Sequence, residues 1–93
     1  MGAEAEYNYG QLQFDEKGIK AAQATAFDLI KNMPSHDYWV AKSFILLADT
    51  YVALKDEFQA KSTLESIIEN YENKEDDILP EAQKRLDKIN NKK

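Results

Sequence analysis

Residues 37 to 54, "DYWVAKSFILLADTYVAL", constrain the fold more than any other stretch of the chain. Phe44, Ile45, Leu46, Leu47, Ala48, Tyr51, Val52, Ala53 and Leu54 leave little room for polar side chains. At helical spacing the polar residues Lys42, Ser43, Asp49 and Thr50 fall on one narrow stripe, and the rest of the circumference is apolar or small. A helix of that kind is buried on several sides. Charge interrupts it too often for a membrane span, and no apolar stretch in the chain reaches the roughly 20 residues a span needs. The segment therefore predicts a helix with neighbours around most of its surface.

The flanking segments supply the neighbours. Ile19, Ala22, Ala26, Leu29, Ile30 and Met33 recur at helical spacing between the break at Gly18 and Pro34, and proline disfavours helix in the residue before it. Ala60, Leu64, Ile67, Ile68 and Tyr71 mark one face of a fourth helix. Asp56 caps it, with Gln59 three residues on completing a capping box. Leu79, Ala82, Leu86 and Ile89 form the single apolar stripe of a last helix. Pro80 is tolerated in its first turn, and Lys88, Lys92 and Lys93 at its end suit the helix dipole.

Residues 3 to 16 carry two conflicting signals. Ala3, Ala5, Tyr7 and Tyr9 alternate with polar residues, and Leu12 and Phe14 alternate in the other phase, which argues for a strand. Ala, Glu, Gln and Leu favour helix, and no β-branched residue is present. The phase slip at Gly10 tips the reading to helix. Five helices are expected, near 3–16, 19–33, 37–54, 57–72 and 78–90, with no sheet. Met1-Gly2 reads as an added start, so the natural N-terminus is expected elsewhere.

Sliding the chain against itself by 38 positions places Ala3 on Ala41, Tyr7 on Ile45, Tyr9 on Leu47, Gly10 on Ala48, Phe14 on Val52, Ala22 on Ala60, Leu29 on Ile67 and Ile30 on Ile68. A period of this length predicts stacked structural repeats. Gly10, Ala22, Ala48 and Ala60 are small residues at helix centres, where they permit close helix crossings.

Phe44, Leu47-Ala48, Tyr51, Ala60 and Leu64 stand at the spacing of the tetratricopeptide pattern, and the second unit resembles that family. The first unit keeps Tyr9-Gly10, Ala22 and Pro34, with Gln13 and Ala26 where the family has aromatic residues. Lys55 replaces the usual turn glycine, Phe58 lies one place late, the second unit lacks a closing proline, and Asp37 to Val40 lengthen the third helix. The resemblance implies an all-α domain over residues 3–93, with antiparallel helix pairs in a short right-handed solenoid. Residues 3–34 and 37–72 would be the repeats, and 76–91 a capping helix. It is strongest to repeats in large bacterial multi-repeat proteins, which implies a longer parent chain and leaves the compartment, envelope or cytoplasm, open. It also implies a protein-interaction scaffold. The partner would be a protein or peptide in a groove lined by Tyr7, Asn8, Gln11 and Phe14 from the first unit and Lys42, Ile45, Asp49 and Val52 from the second.

The chemistry of other classes is sparse. The net charge of −5 repels phosphate backbones. No cysteine is present, so thiolate chemistry and disulfides are excluded. Ser35, His36 and Asp37 are adjacent in sequence, whereas a catalytic triad joins separately anchored side chains; a helix-start loop capped by Ser35 or Asp37 is the expectation. Glu75, Asp76 and Asp77 lack calcium-loop spacing and read as a solvated loop, and three glycines form no phosphate loop. Neither an enzymatic site nor a cofactor is expected. Tyr38-Trp39 reads as packing between units rather than a ligand platform. A helical-bundle enzyme or small-ligand binder is the alternative, and it would need inward polar groups where the faces read as apolar. Tyr7, Tyr9, Leu12 and Phe14 exceed what one neighbouring helix can cover, so an open N-terminal edge and weak self-association are expected.

Overall fold

A computed structural model describes residues 2–32 and 37–91. Its helices are α1 (Ala3–Asp15), α2 (Ile19–Asn32), α3 (Asp37–Ala53), α4 (Glu57–Asn70) and α5 (Ile78–Asn90), and no strand occurs among the described residues. The alternation at residues 3–14 thus yields to helix propensity. Pro34, Ser35 and His36 lie outside the described residues, as do Met33, Lys92 and Lys93.

Each helix packs on the next in sequence. In addition α1 touches α3 and α3 touches α5, while α2 and α4 do not meet. The odd-numbered helices thus form one layer and the even-numbered helices a second, in a slab of 41 × 31 × 17 Å. Because only the odd layer is closed up side by side, the slab bends toward it. The α1–α3–α5 face is the inner one.

The 38-residue period reappears in the backbone. Lys17 and Lys55 both adopt left-handed φ, at 69° and 66°. Gly18 N–H donates to Gln13 O and Lys17 N–H to Phe14 O, at 2.8 and 2.9 Å. Asp56 N–H donates to Tyr51 O and Lys55 N–H to Val52 O at the same two distances. These are the paired bonds of a Schellman C-terminus, which satisfy carbonyls a helix end leaves orphaned. Two helices therefore stop by the same mechanism, one period apart, and both do so on a lysine where glycine is the unstrained choice.

α3 is buried as its sequence predicts, with one correction. Ser43 and Thr50 do not join Lys42 and Asp49 on a solvent stripe: both are fully buried. Thr50 Oγ1 donates to Leu47 O at 2.6 Å and accepts from Gln23 Nε2 at 3.2 Å, which ties α3 to α2. Two apolar clusters surround the helix. One gathers Ala41, Ile45 and Ala48 with Leu64, Ile67, Ile78, Ala82 and Leu86. The other joins Leu46 and Leu47 to Ala26, with Tyr7, Phe14, Ile30 and Tyr51 partly buried around it. Phe44 bridges the two.

Close crossings explain the small residues. A Cβ on Gly10 would sit 3.0 Å from Leu46 Cδ2 and 3.1 Å from Thr25 Cγ2, and Ala22, Ala48 and Ala60 are buried. Asp56 caps α4 by accepting from Gln59 N–H at 3.2 Å. Its own N–H is taken by Tyr51 O, so the reciprocal half of the capping box is replaced by the Schellman bond. Asp37 is the first residue of α3 rather than its cap. On α5 the buried stripe is Ile78, Ala82 and Leu86, and Leu79 is only half-buried.

Candidate binding groove

The inner face is walled by three parallel helices. Asp77 at the start of α5 reaches the first turns of α3, accepting from Tyr38 Oη at 2.8 Å and lying 3.8 Å from Lys42 Nζ. Two turns along, Arg85 Nε donates to both oxygens of Asp49, at 3.0 and 3.2 Å, and a further guanidinium nitrogen of Arg85 binds Glu81. On the other side Tyr7 of α1 stacks at a tilt on Trp39, with centroids 5.6 Å apart, and Trp39 meets Tyr38 edge-on at 4.9 Å. Lys42 Nζ lies over the Tyr7 and Tyr38 rings at 5.3 and 5.9 Å. Tyr38-Trp39 thus packs between units, and Lys42 is held by two rings and a carboxylate.

The local electrostatics follow from this sharing. Burial pushes the Asp49 carboxyl above its usual range, against the pull of Arg85. Burial opposes the charge on Arg85 too, but hydrogen bonds and charge from two carboxylates outweigh it and hold the guanidinium ionised. Asp49 shares Arg85 with Glu81, whose own charge raises it further, so burial prevails there despite the pull of Arg85 and Lys88. The hydrogen bond from Tyr38, followed by the charge of Lys42, lowers Asp77. Tyr38 is pushed up to about 12, by desolvation first and by Asp77 second.

Beyond the ion pairs the groove opens into a hollow of about 770 Å³. Its large apolar side chains are Phe14 on α1, Val52 on α3, Leu64 on α4 and Ile89 on α5, and Asp49, Arg85, Glu57, Lys84 and Lys88 add charge to the lining. A wider cleft of about 930 Å³ lies between the start of α3 and the end of α4. There Tyr71 Oη donates to Asp76, which also accepts from Ile78 N–H at 3.0 Å. Asp76 and Asp77 therefore serve as tethers for α5 rather than as a purely solvated loop. No group of three or more His, Cys, Asp or Glu among the described residues is placed to hold a metal ion. None of the described helices is long and apolar enough to cross a membrane.

Of the eight residues expected in the groove, Phe14, Asp49 and Val52 line the hollow, while Tyr7 and Lys42 lie outside it, where Lys42 Nζ sits over the Tyr7 ring. Gln11 accepts from Tyr7 Oη and donates to Asp15, both at 3.1 Å. Ile45 is 4% exposed and belongs to the core that α5 covers. Asn8 is exposed one period before Leu46, a residue buried between units. Sequence reasoning missed the third wall, Asp77, Glu81, Arg85 and Ile89, by treating α5 only as a cap. The i, i+4 run Asp77, Glu81, Arg85, Ile89 is the signal that α5 carries a second face beside the buried one.

Neither protein-family models nor curated proteins nor solved structures give a match to this chain.

Proposed function

We propose that this chain is a helical-repeat scaffold of tetratricopeptide type that binds a polypeptide segment along its inner face. The observation that carries the reading is the hollow between Phe14, Val52 and Ile89, apolar at its walls and ringed by charge. Three separate helices supply those side chains, so the site exists only in the folded stack. Its polar floor is already internally paired through Asp49, Arg85 and Glu81. A ligand that seats an apolar side chain there desolvates no unpartnered charge. Helix-lined grooves take peptide segments by such apolar anchors, with polar rim contacts setting specificity.

A random-peptide library displayed against the immobilised chain tests this. Enriched sequences should share a large apolar residue and lose binding to Val52→Asp but not to Phe58→Asp. Phe58 is 81% exposed and lies outside the hollow, so it controls for non-specific stickiness. Enriched peptides indifferent to Val52→Asp would remove the groove from the reading.

A further inference from the structure

The internal repeat shows what one open surface lacks. On α3 the residues Ser43, Leu46, Leu47 and Thr50 are buried. α2 covers this side through Ala26, which clusters with Leu46 and Leu47, and through Gln23, which binds Thr50. One period earlier, α1 carries Ala5, Asn8, Tyr9 and Leu12. All four are exposed, Tyr9 at 58% and Leu12 at 52%. The backbone at the ends of α1 and α3 is the same, down to the bonds that stop them. The difference in burial therefore comes from the missing neighbour and not from a different helix.

We infer that the Ala5–Asn8–Tyr9–Leu12 face of α1 is a docking surface for one amphipathic helix of α2's pattern. That helix follows α2, on which Gln23, Ala26 and Ile30 meet the Leu46–Leu47–Thr50 side of α3 and Ala22 and Leu29 are buried beside them, and it is supplied by a separate partner polypeptide. Leu12 stands where Thr50 stands on α3, so the docking helix needs an apolar residue where α2 has Gln23. This docking replaces the weak self-association expected from the sequence, because a second copy of this chain does not supply such a helix. Its helices of suitable pattern already bury those faces: Ala22, Ala26 and Leu29 on α2, and Ala60, Leu64 and Ile67 on α4. Its last helix likewise buries Ile78, Ala82 and Leu86. The surface is separate from the inner groove, and the inference stands or falls independently of it.

The absence of cysteine makes a direct test available. Leu12→Cys is placed in the full chain and in the full chain extended by a copy of residues 3–40 carrying Gln23→Leu ahead of residue 3, which preserves the 38-residue register. The tethered unit presents its copy of α2 at millimolar effective concentration. The reaction of the Leu12→Cys thiol with a small maleimide should slow roughly tenfold or more in the extended chain, because labelling then requires local opening. Phe58→Cys should react alike in both. Equal Leu12→Cys rates in both chains overturn the inference. If the extended chain does not fold, a synthetic peptide of residues 18–32 carrying Gln23→Leu is titrated into the Leu12→Cys chain, and absence of protection up to millimolar peptide overturns it as well. Protection that rises with the concentration of the unextended chain alone assigns the face to a second copy and also overturns it.

Discussion

Lys55 holds its backbone at φ 66° and Lys17 holds its own at 69°, each just past the end of a helix. For a residue with a Cβ, the left-handed region costs roughly 1–2 kcal/mol. Glycine removes that cost but has a more disordered unfolded state, which takes back about 0.4–1 kcal/mol. Lys55→Gly should therefore stabilise by about 0.5–1 kcal/mol, and Lys17→Gly by the same amount because its hydrogen bonds are the same. For a domain of this size each kcal/mol moves Tm by about 4–8 °C, so each variant should melt roughly 2–8 °C higher. The two turns lie in different units and the gains should add. Urea and thermal unfolding of Lys17→Gly, Lys55→Gly, the double variant and both alanine variants would measure this. Alanine removes the same charge and the same long side chain but keeps the Cβ, so it should show no comparable gain. If alanine stabilises as much as glycine, the effect belongs to side-chain charge and the strain argument is wrong. If neither glycine variant gains, the turns carry no such cost.

Three other outcomes follow from the packing and the groove. Ala48→Leu or Ala60→Leu should lower stability by roughly 1–3 kcal/mol in chemical denaturation, since both alanines are fully buried at helix crossings; an unchanged midpoint would put them on loose surfaces. Deleting residues 76–93 uncovers Ile45, Leu64 and Ile67, which pack on Ile78, Ala82 and Leu86, so aggregation or a large fall in Tm is expected; a monomeric truncation melting like the parent refutes the cap. Asp49 has a folded-state pKa above its ordinary 3.8, so its stabilising contribution is complete below that value and is lost as pH rises through the raised one. Asp49→Asn, which does not ionise, should therefore gain stability relative to the parent as pH rises from below 3.8 towards neutral. Denaturation midpoints across that range check the sign, and a relative loss would mean that Arg85 outweighs burial.

The helices and most of their ends were determined by the sequence alone, because periodicity, capping and propensity act within a few residues. Ile19 to Ile30 and Ala60 to Ile68 could be read as helices from spacing, and the match of Gly10 to Ala48 pointed to close crossings. Even the conflict at residues 3–14 was decided by composition. The sequence could not separate Ser43 and Thr50 from Lys42 and Asp49. They lie within about 120° of one another on an ideal helix, and only the position of α2 decides which pair is buried. Ile45 was similarly ambiguous, facing the groove or the core according to where α5 comes to rest. That placement depends on the tethers from Asp76 and Asp77 to Tyr71 and Tyr38. The Asp49–Arg85 pair joins residues 36 apart, which departs from the 38-residue register that relates the first two units. The groove's third wall was therefore set by tertiary packing: local patterns fix which residues share a helix face, while the angle and shift between helices decide what each face meets.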